Sequence, residues 1–129
     1  MTKAQRTKLN KLLRQAMIRR DGEHCLRCGK TPVQTSHIKS RGKYRKLAFD
    51  INNVKPLCVA CHLYWWHKEP LEAAEWIREQ FPDRVEYLEK KIRTIDKTIM
   101  VYETIKEQLK GRKENGKKKS IVPVATRET

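Results

Sequence analysis

Two cysteine pairs of identical spacing, Cys25-Leu-Arg-Cys28 and Cys58-Val-Ala-Cys61, constrain this chain more than any other feature. Two intervening residues let one tight turn aim both sulfurs at a single tetrahedral ion, so two such knuckles read as a four-thiolate zinc site. The fold must then bring residues 25–28 and 58–61 together. No run is apolar enough to span a bilayer, and residues 1–20 lack the continuous apolar centre of a signal peptide. A cytoplasmic setting is expected, with no membrane partner. In such a reducing compartment paired cysteines favour metal over disulfides. His24 directly precedes the first knuckle, but four cysteines already complete a ligand set, so it reads as a surface residue.

The 29 residues between the knuckles exceed the usual zinc-ribbon spacing of about 15–20. That insert holds His37, Asp50 and Asn53, and His62 follows the last cysteine directly. A closed four-cysteine site offers no open position for chemistry, so any reaction needs a second site built from these other residues. Charge points to the partner. The 129 residues include 30 Lys and Arg against 15 Asp and Glu, a net +15, which a compact protein tolerates best beside a polyanion. Nucleic acid is the expected partner.

Around the insert the chain reads as α+β. Leu9, Leu12, Leu13, Ala16 and Met17 make an i, i+3, i+4, i+7, i+8 stripe, predicting a basic amphipathic helix over 1–20. Its basic face suits either phosphates or plain solvent. Residues 21–82 form the expected zinc-containing domain. Within it, Val33–Ile38 and Lys46–Ile51 read as two short strands joined by the basic loop 39–45. Residues 61–69 look helical. Pro70 stops that helix and starts the next, which runs to about Gln80, and Pro82 repeats the device. Val85, Leu88, Ile92, Ile95, Ile99, Tyr102 and Leu109 follow heptad steps, with Lys106 interrupting. They predict one long helix over 83–110, ended by Gly111, that either pairs with a second copy in a homodimer or folds back on the first helix. The tail, 112–129, is basic and expected to lack structure of its own.

Three stretches, Ser36-His-Ile, Asn53-Val-Lys-Pro-Leu-Cys and Cys61-His, resemble the HNH motif of ββα-metal endonucleases, in the version that carries a four-cysteine zinc, as in the recombination endonuclease VII family. The longer stretch SHIKSRGKYRKLAFDINNVKPLC is also similar to the phage NinG (Rap) recombination endonucleases. The likeness covers residues 25–67, extends weakly through DRVEYLEK, and reaches neither the first helix nor the tail. It implies a small ββα-metal domain hydrolysing DNA phosphodiesters on branched or recombining DNA, with low sequence specificity.

Phosphodiester hydrolysis needs a base for water, a cation for the developing charge, and a hold on the backbone. His37 suits the base because imidazole titrates near neutrality. Asn53 suits the residue that orients it. His62, aimed by the neighbouring Cys61, suits a ligand to a catalytic Mg²⁺ or Mn²⁺, and the resemblance implies these same roles. Many HNH enzymes carry Asp or His just before the base, where this chain has Ser36. Asp50 reads as a turn residue ahead of Asn52-Asn53 or as the missing carboxylate ligand. His67, five residues after His62, lies about 140° round an ideal helix, off its face, and reads as a phosphate contact or a surface residue. Arg41, Lys43, Arg45 and Lys46 are placed to grip phosphates. Tyr64, Trp65, Trp66 and Trp76 read as core rather than as a base-stacking platform. The alternative function is a zinc-stabilised nucleic-acid-binding module without chemistry.

Overall fold

The computed structural model describes residues 1–94 and 101–111. The chain opens with helix α1, Lys3–Asp21. Thr2 caps it through a reciprocal pair: its Oγ1 accepts from the Gln5 N–H, and the Gln5 side chain accepts from the Thr2 N–H. The expected stripe is the buried face, with Leu9, Leu12, Leu13 and Met17 all enclosed. The polar face does more than the sequence suggested. Arg14 donates to the Val33 carbonyl, Arg19 to that of Leu109, and Arg20 to those of Ile51 and Val54. These three cations therefore tie α1 to the rest of the fold instead of facing phosphates or open solvent.

Two antiparallel strands follow, β1 Gln34–His37 and β2 Val54–Leu57. The second strand lies later than expected. Lys46–Ile51 belongs instead to a turn region with short 3-10 segments at Arg45–Leu47 and Ile51–Asn53. Asp50 drives that difference, because its side chain accepts from the Asn52 N–H and caps the second turn. Pro56 lies inside this second strand. Ile38 donates to the Asn53 carbonyl, so alternation of the ladder puts Pro56, opposite Thr35, at a position where no strand–strand N–H is needed.

Strand β2 leads straight into a short helix, α2 Val59–Cys61, which continues as a π-helical turn over His62–Trp66. The expected helix at 61–69 is thus wound wider than an α-helix, with consequences for His67 described below. Helices α3, Pro70–Gln80, and α4, Pro82–Arg93, each begin with proline at the first turn, as expected.

The single long helix expected over 83–110 is not what the described residues show. Helix α4 ends at Arg93 with Thr94 extended, and a separate helix, α5 Tyr102–Lys110, starts after an extended Val101. β-branched residues at 92, 94 and 95 lower helix propensity where α4 stops. Residues 95–100, and the basic tail at 112–129, lie outside the described residues. Gly111 does end α5, in the left-handed conformation (φ 68°) that lacks a steric penalty only for glycine. Tyr102, Ile105 and Leu109 pack on the Leu9–Met17 face of α1, the fold-back arrangement.

Strand β2 separates two apolar clusters. Val54 belongs with α1 and α5, while Leu57 belongs with Cys25, Val33, Cys58, Cys61, Trp65 and Ala73. Helix α4 is joined to the C-terminal end of α1 by a buried ion pair. Asp21 Oδ1 accepts from Arg84 at 3.2 Å while its carboxylate also holds Arg20, and the Arg84 guanidinium stacks on Phe81. No helix among the described residues is long and apolar enough to cross a membrane.

Candidate functional site

The four cysteine sulfurs lie within 4.8 Å of one another, and none is in a disulfide. In each knuckle the N–H of the second cysteine points at the sulfur of the first: Cys28 N to Cys25 Sγ at 3.4 Å, and Cys61 N to Cys58 Sγ at 3.5 Å. Gly29 continues the first turn with φ 84°. Burial works to raise the Cys25 thiol, but backbone N–H groups of Cys58, Cys28 and Arg27 outweigh it and bring it to about 6. The Cys61 thiol, by contrast, is pushed up to about 12, chiefly by burial. Four sulfurs this close cannot all ionise without a cation among them, and a coordinating divalent metal deprotonates thiols outright. The donor set fits a structural metal such as zinc, held by Cys25, Cys28, Cys58 and Cys61. His24 is exposed and outside this cluster, as expected.

Arg27 was not singled out in the sequence. Its guanidinium donates to Cys61 Sγ at 3.5 Å and lies 3.9 Å over the Trp65 ring, offsetting the negative charge of a metal–thiolate centre. Trp65 is buried, donates to Glu72 and meets Trp76 edge-on, so these two are core as expected. Tyr64 is not, at 69% exposed, because the wide π turn carries it outward.

Beside the cysteine cluster lies a cleft of about 610 Å³ whose lining includes His37, Lys39, Arg41, His62, His67 and Arg78. Ala73, Ile77 and Val85 give it an apolar wall. Among the described residues that line it there is no carboxylate. Arg78 is paired with Glu89 at 2.6 Å. Arg41 is exposed at its rim and lowers the proton affinity of both His37 and His62.

His37 ends β1, and its Nε2 sits 2.9 Å from the Ala48 carbonyl. A carbonyl only accepts, so Nε2 carries the proton and Nδ1 keeps a lone pair. Burial lowers its pKa below the ordinary value. The Ala48 carbonyl opposes that shift, and Arg41 and Lys55 add to it. Asn53 reaches the same loop by another route. Its amide nitrogen donates to the carbonyls of Lys39 and Leu47, and its oxygen accepts from the Lys39 N–H. It clamps both ends of the 39–47 loop, one residue short of the carbonyl that fixes His37. Its link to His37 therefore runs through backbone.

His62 follows Cys61, and its Nδ1 lies 2.8 Å from Gln34 Oε1. With the amide oxygen as acceptor, Nδ1 carries the proton and Nε2 is left to bind a cation, an arrangement common in metal-ligating histidines. Its pKa falls to about 4, first through burial and then through His67, Lys55, His37 and Arg41. Gln34 was missed in the sequence, although it lies two residues before Ser36 on the same strand.

The expected fifth-residue offset of His67 does not survive the π turn. The His67 N–H bonds to the His62 carbonyl, an i→i+5 bond, and the two ring centroids are 4.9 Å apart. His67 thus stands over His62, on the face from which an ideal α-helix would have removed it.

Ser36 and Asp50 are engaged elsewhere. Ser36 is fully buried, and its Oγ accepts from Lys55 Nζ at 2.7 Å across the strand pair. Lys55, itself fully buried, lies 3.3 Å over the Trp66 ring, and burial holds its pKa well below the usual lysine range. Neither oxygen of Asp50 faces the cleft: one caps the turn and the other accepts from Tyr87 OH at 2.8 Å. Of the loop cations, Arg41 lines the cleft, Lys43 sits over the Tyr44 ring, and Arg45 and Lys46 are exposed on the 3-10 turn. Compared with known proteins, the chain matches no family model, no curated protein and no solved structure. The likeness to HNH endonucleases rests on the residues quoted for it.

Proposed function

We propose that the protein is a metal-dependent HNH endonuclease that hydrolyses DNA phosphodiester bonds, with its zinc centre serving only to build the site. The observation that carries this reading is one cleft holding two histidines with complementary open nitrogens. His37 presents Nδ1 with Nε2 tied to the Ala48 carbonyl, and His62 presents Nε2 with Nδ1 tied to Gln34. A neutral imidazole held in one tautomer is suited to take a proton from water. A second, lining the same cleft with its Nδ1 proton given to Gln34, is suited to bind a divalent ion such as Mg²⁺ or Mn²⁺ through Nε2. Such an ion, when bound, supplies charge stabilisation at the phosphoryl and leaving oxygens.

The chain's own residues do the remainder. Asn53 holds the loop whose end orients His37. Lys39 and Arg41 give the cleft the cationic lining a phosphodiester backbone requires, and Arg45 and Lys46 extend that charge along the exposed turn. Backbone contacts of this kind position DNA without reading sequence, which suits a branched or recombining duplex better than a fixed recognition site. The test is a panel of labelled four-way junction, flap and plain duplex incubated with the full chain in Mg²⁺ or Mn²⁺. Nicking that favours the branched substrates supports the reading. Binding without cleavage in either ion would replace it with a nucleic-acid-binding module.

A further inference from the structure

His67 is exposed, contributes nothing to the core, and yet its ring stands 4.9 Å from that of His62 at a tilt of 40°. The wide turn that brings them together has a local cost. Helical hydrogen bonding shifts from i→i+4 to i→i+5 across His62–Trp66, a departure found mostly as short bulges and frequently at functional sites. The turn buries Trp65 but exposes Leu63 and Tyr64, so apolar burial explains the placement of Trp65 and not that of the exposed His67.

Joint coordination of one ion would give the two rings a reason to meet. Two imidazoles bonded at about 2.1 Å to one ion, at an angle of about 100°, hold their ring centroids about 5 Å apart. The observed separation matches, and the tilt between the planes rules out a face-to-face stack. His62 is already prepared for that bond, because Gln34 takes its Nδ1 proton and leaves Nε2 open. We propose that His62 and His67 together bind one divalent transition-metal ion, through a turn wound to bring the two rings to the same point.

The donor chemistry sets the class of ion. Two imidazoles with no carboxylate in the cleft lining favour Mn²⁺ and the later ions Co²⁺, Ni²⁺ and Zn²⁺ over Mg²⁺, which is held mainly by oxygen ligands. Two protein ligands leave the other positions open for water and a phosphate oxygen, as a catalytic site requires and the closed cysteine site cannot provide. Taken with the nuclease reading on which its purpose rests, the pair replaces the ligand that HNH enzymes often carry just before the base, where Ser36 is occupied by Lys55.

The test reads metal binding, apart from cleavage. The full chain, with zinc in the cysteine cluster, is titrated with Co²⁺ and followed by visible absorption and calorimetry, while thiolate-to-cobalt absorption reports any exchange into that cluster. The wild type should take one further Co²⁺, and His62→Ala and His67→Ala should each weaken it at least tenfold. An unchanged affinity in His67→Ala overturns the pair. A second measurement needs no variant: substoichiometric Mn²⁺ should broaden the ring resonances of His62 and His67 together and leave His24 sharp. Broadening of His62 alone also overturns it. Co²⁺ bound by both rings without DNA cleavage would leave the pair standing and remove the nuclease reading. Cleavage with unchanged Co²⁺ affinity in His67→Ala would do the reverse.

Discussion

On one side of β2, Leu9, Leu13, Met17 and Leu109 enclose Val54 in ordinary helix-on-helix packing. On the other side the buried cluster contains three cysteines beside Val33, Leu57 and Trp65, with Trp66 and Trp76 packed against it. The first half is stabilised by apolar area removed from water, on the order of 25 cal/mol per Å². The second is organised around four cysteines that can hold a metal ion, with tryptophans packed about them. The division matters for the proposed function, since the cleft lined by His37, His62 and His67 lies in the half that holds the cysteines. A site whose donors must be held to within fractions of an ångström gains from bonds of fixed length more than from apolar contact. The α1–α5 half anchors that platform through Arg14 and Arg20, which donate to backbone carbonyls on or beside the strands.

The contrast breaks most visibly on metal removal. Chelation, or Cys58→Ser, should reduce zinc from about one per chain to near none and abolish the near-ultraviolet circular dichroism of Trp65 and Trp76. Most of the far-ultraviolet helical signal from α1 should persist. Loss of both signals together would show that the two halves are one cooperative unit. Next in size, Leu13→Ala removes a fully buried side chain from the helical half and should cost about 2–5 kcal/mol in denaturant unfolding, with zinc content unchanged.

A pH series sharpens the role of the cleft. Burial lowers the His37 pKa below its ordinary value of about 6.5, so the folded protein favours the neutral ring. Between the folded and unfolded values the unfolded chain binds more protons. This group's effect on stability is therefore absent above pH of about 6.5, and destabilisation sets in as pH falls below it toward the folded value. Cleavage should follow the neutral form, rising with pH to a plateau whose midpoint lies below the ordinary histidine value. A midpoint above it would exclude His37 as the titrating base. The smallest effect is expected at Arg27. Arg27→Ala removes a cation over Trp65 and beside Cys61, and should cost about 0.5–1 kcal/mol by thermal unfolding while leaving the zinc in place.

What the sequence made legible was whatever depends on short-range pattern. Both knuckles, the α1 stripe, the proline-started helices α3 and α4, and the glycine end of α5 all follow from local rules, and the structure bears them out. What it hid depends on competition between local rules. Asp50 captured the Asn52 N–H and turned an expected strand into a 3-10 turn. Strand β2 carries Pro56, which its register leaves where no N–H is needed. The heptad stripe implied one helix, but Thr94 and Val101 are extended and α5 folds back on α1.

The site shows the same division. His37, Asn53 and His62 were legible as residues, and the structure brings His37 and His62 to one cleft. Their partners were not: Ala48 and the loop carbonyls clamped by Asn53 act through backbone, which leaves no trace in residue type, and the Gln34 side chain meets His62 only once the strand and the turn are folded together. Lys55 was invisible for a related reason. A lysine in a strand reads as solvent-facing until its cross-strand serine and the Trp66 ring are seen to enclose it. The π turn had no signal at all, and with it went the placement of His67.

The central claim is that His37, held in one tautomer by a backbone carbonyl, is the base of a nuclease. The most direct measurement is the single-turnover rate on a four-way junction in Mn²⁺, for wild type and His37→Ala matched in zinc content. The account predicts a wild-type rate lowered by about 10²–10⁴-fold in the variant, with Co²⁺ binding at His62 retained. A variant that cleaves as fast as wild type would contradict it.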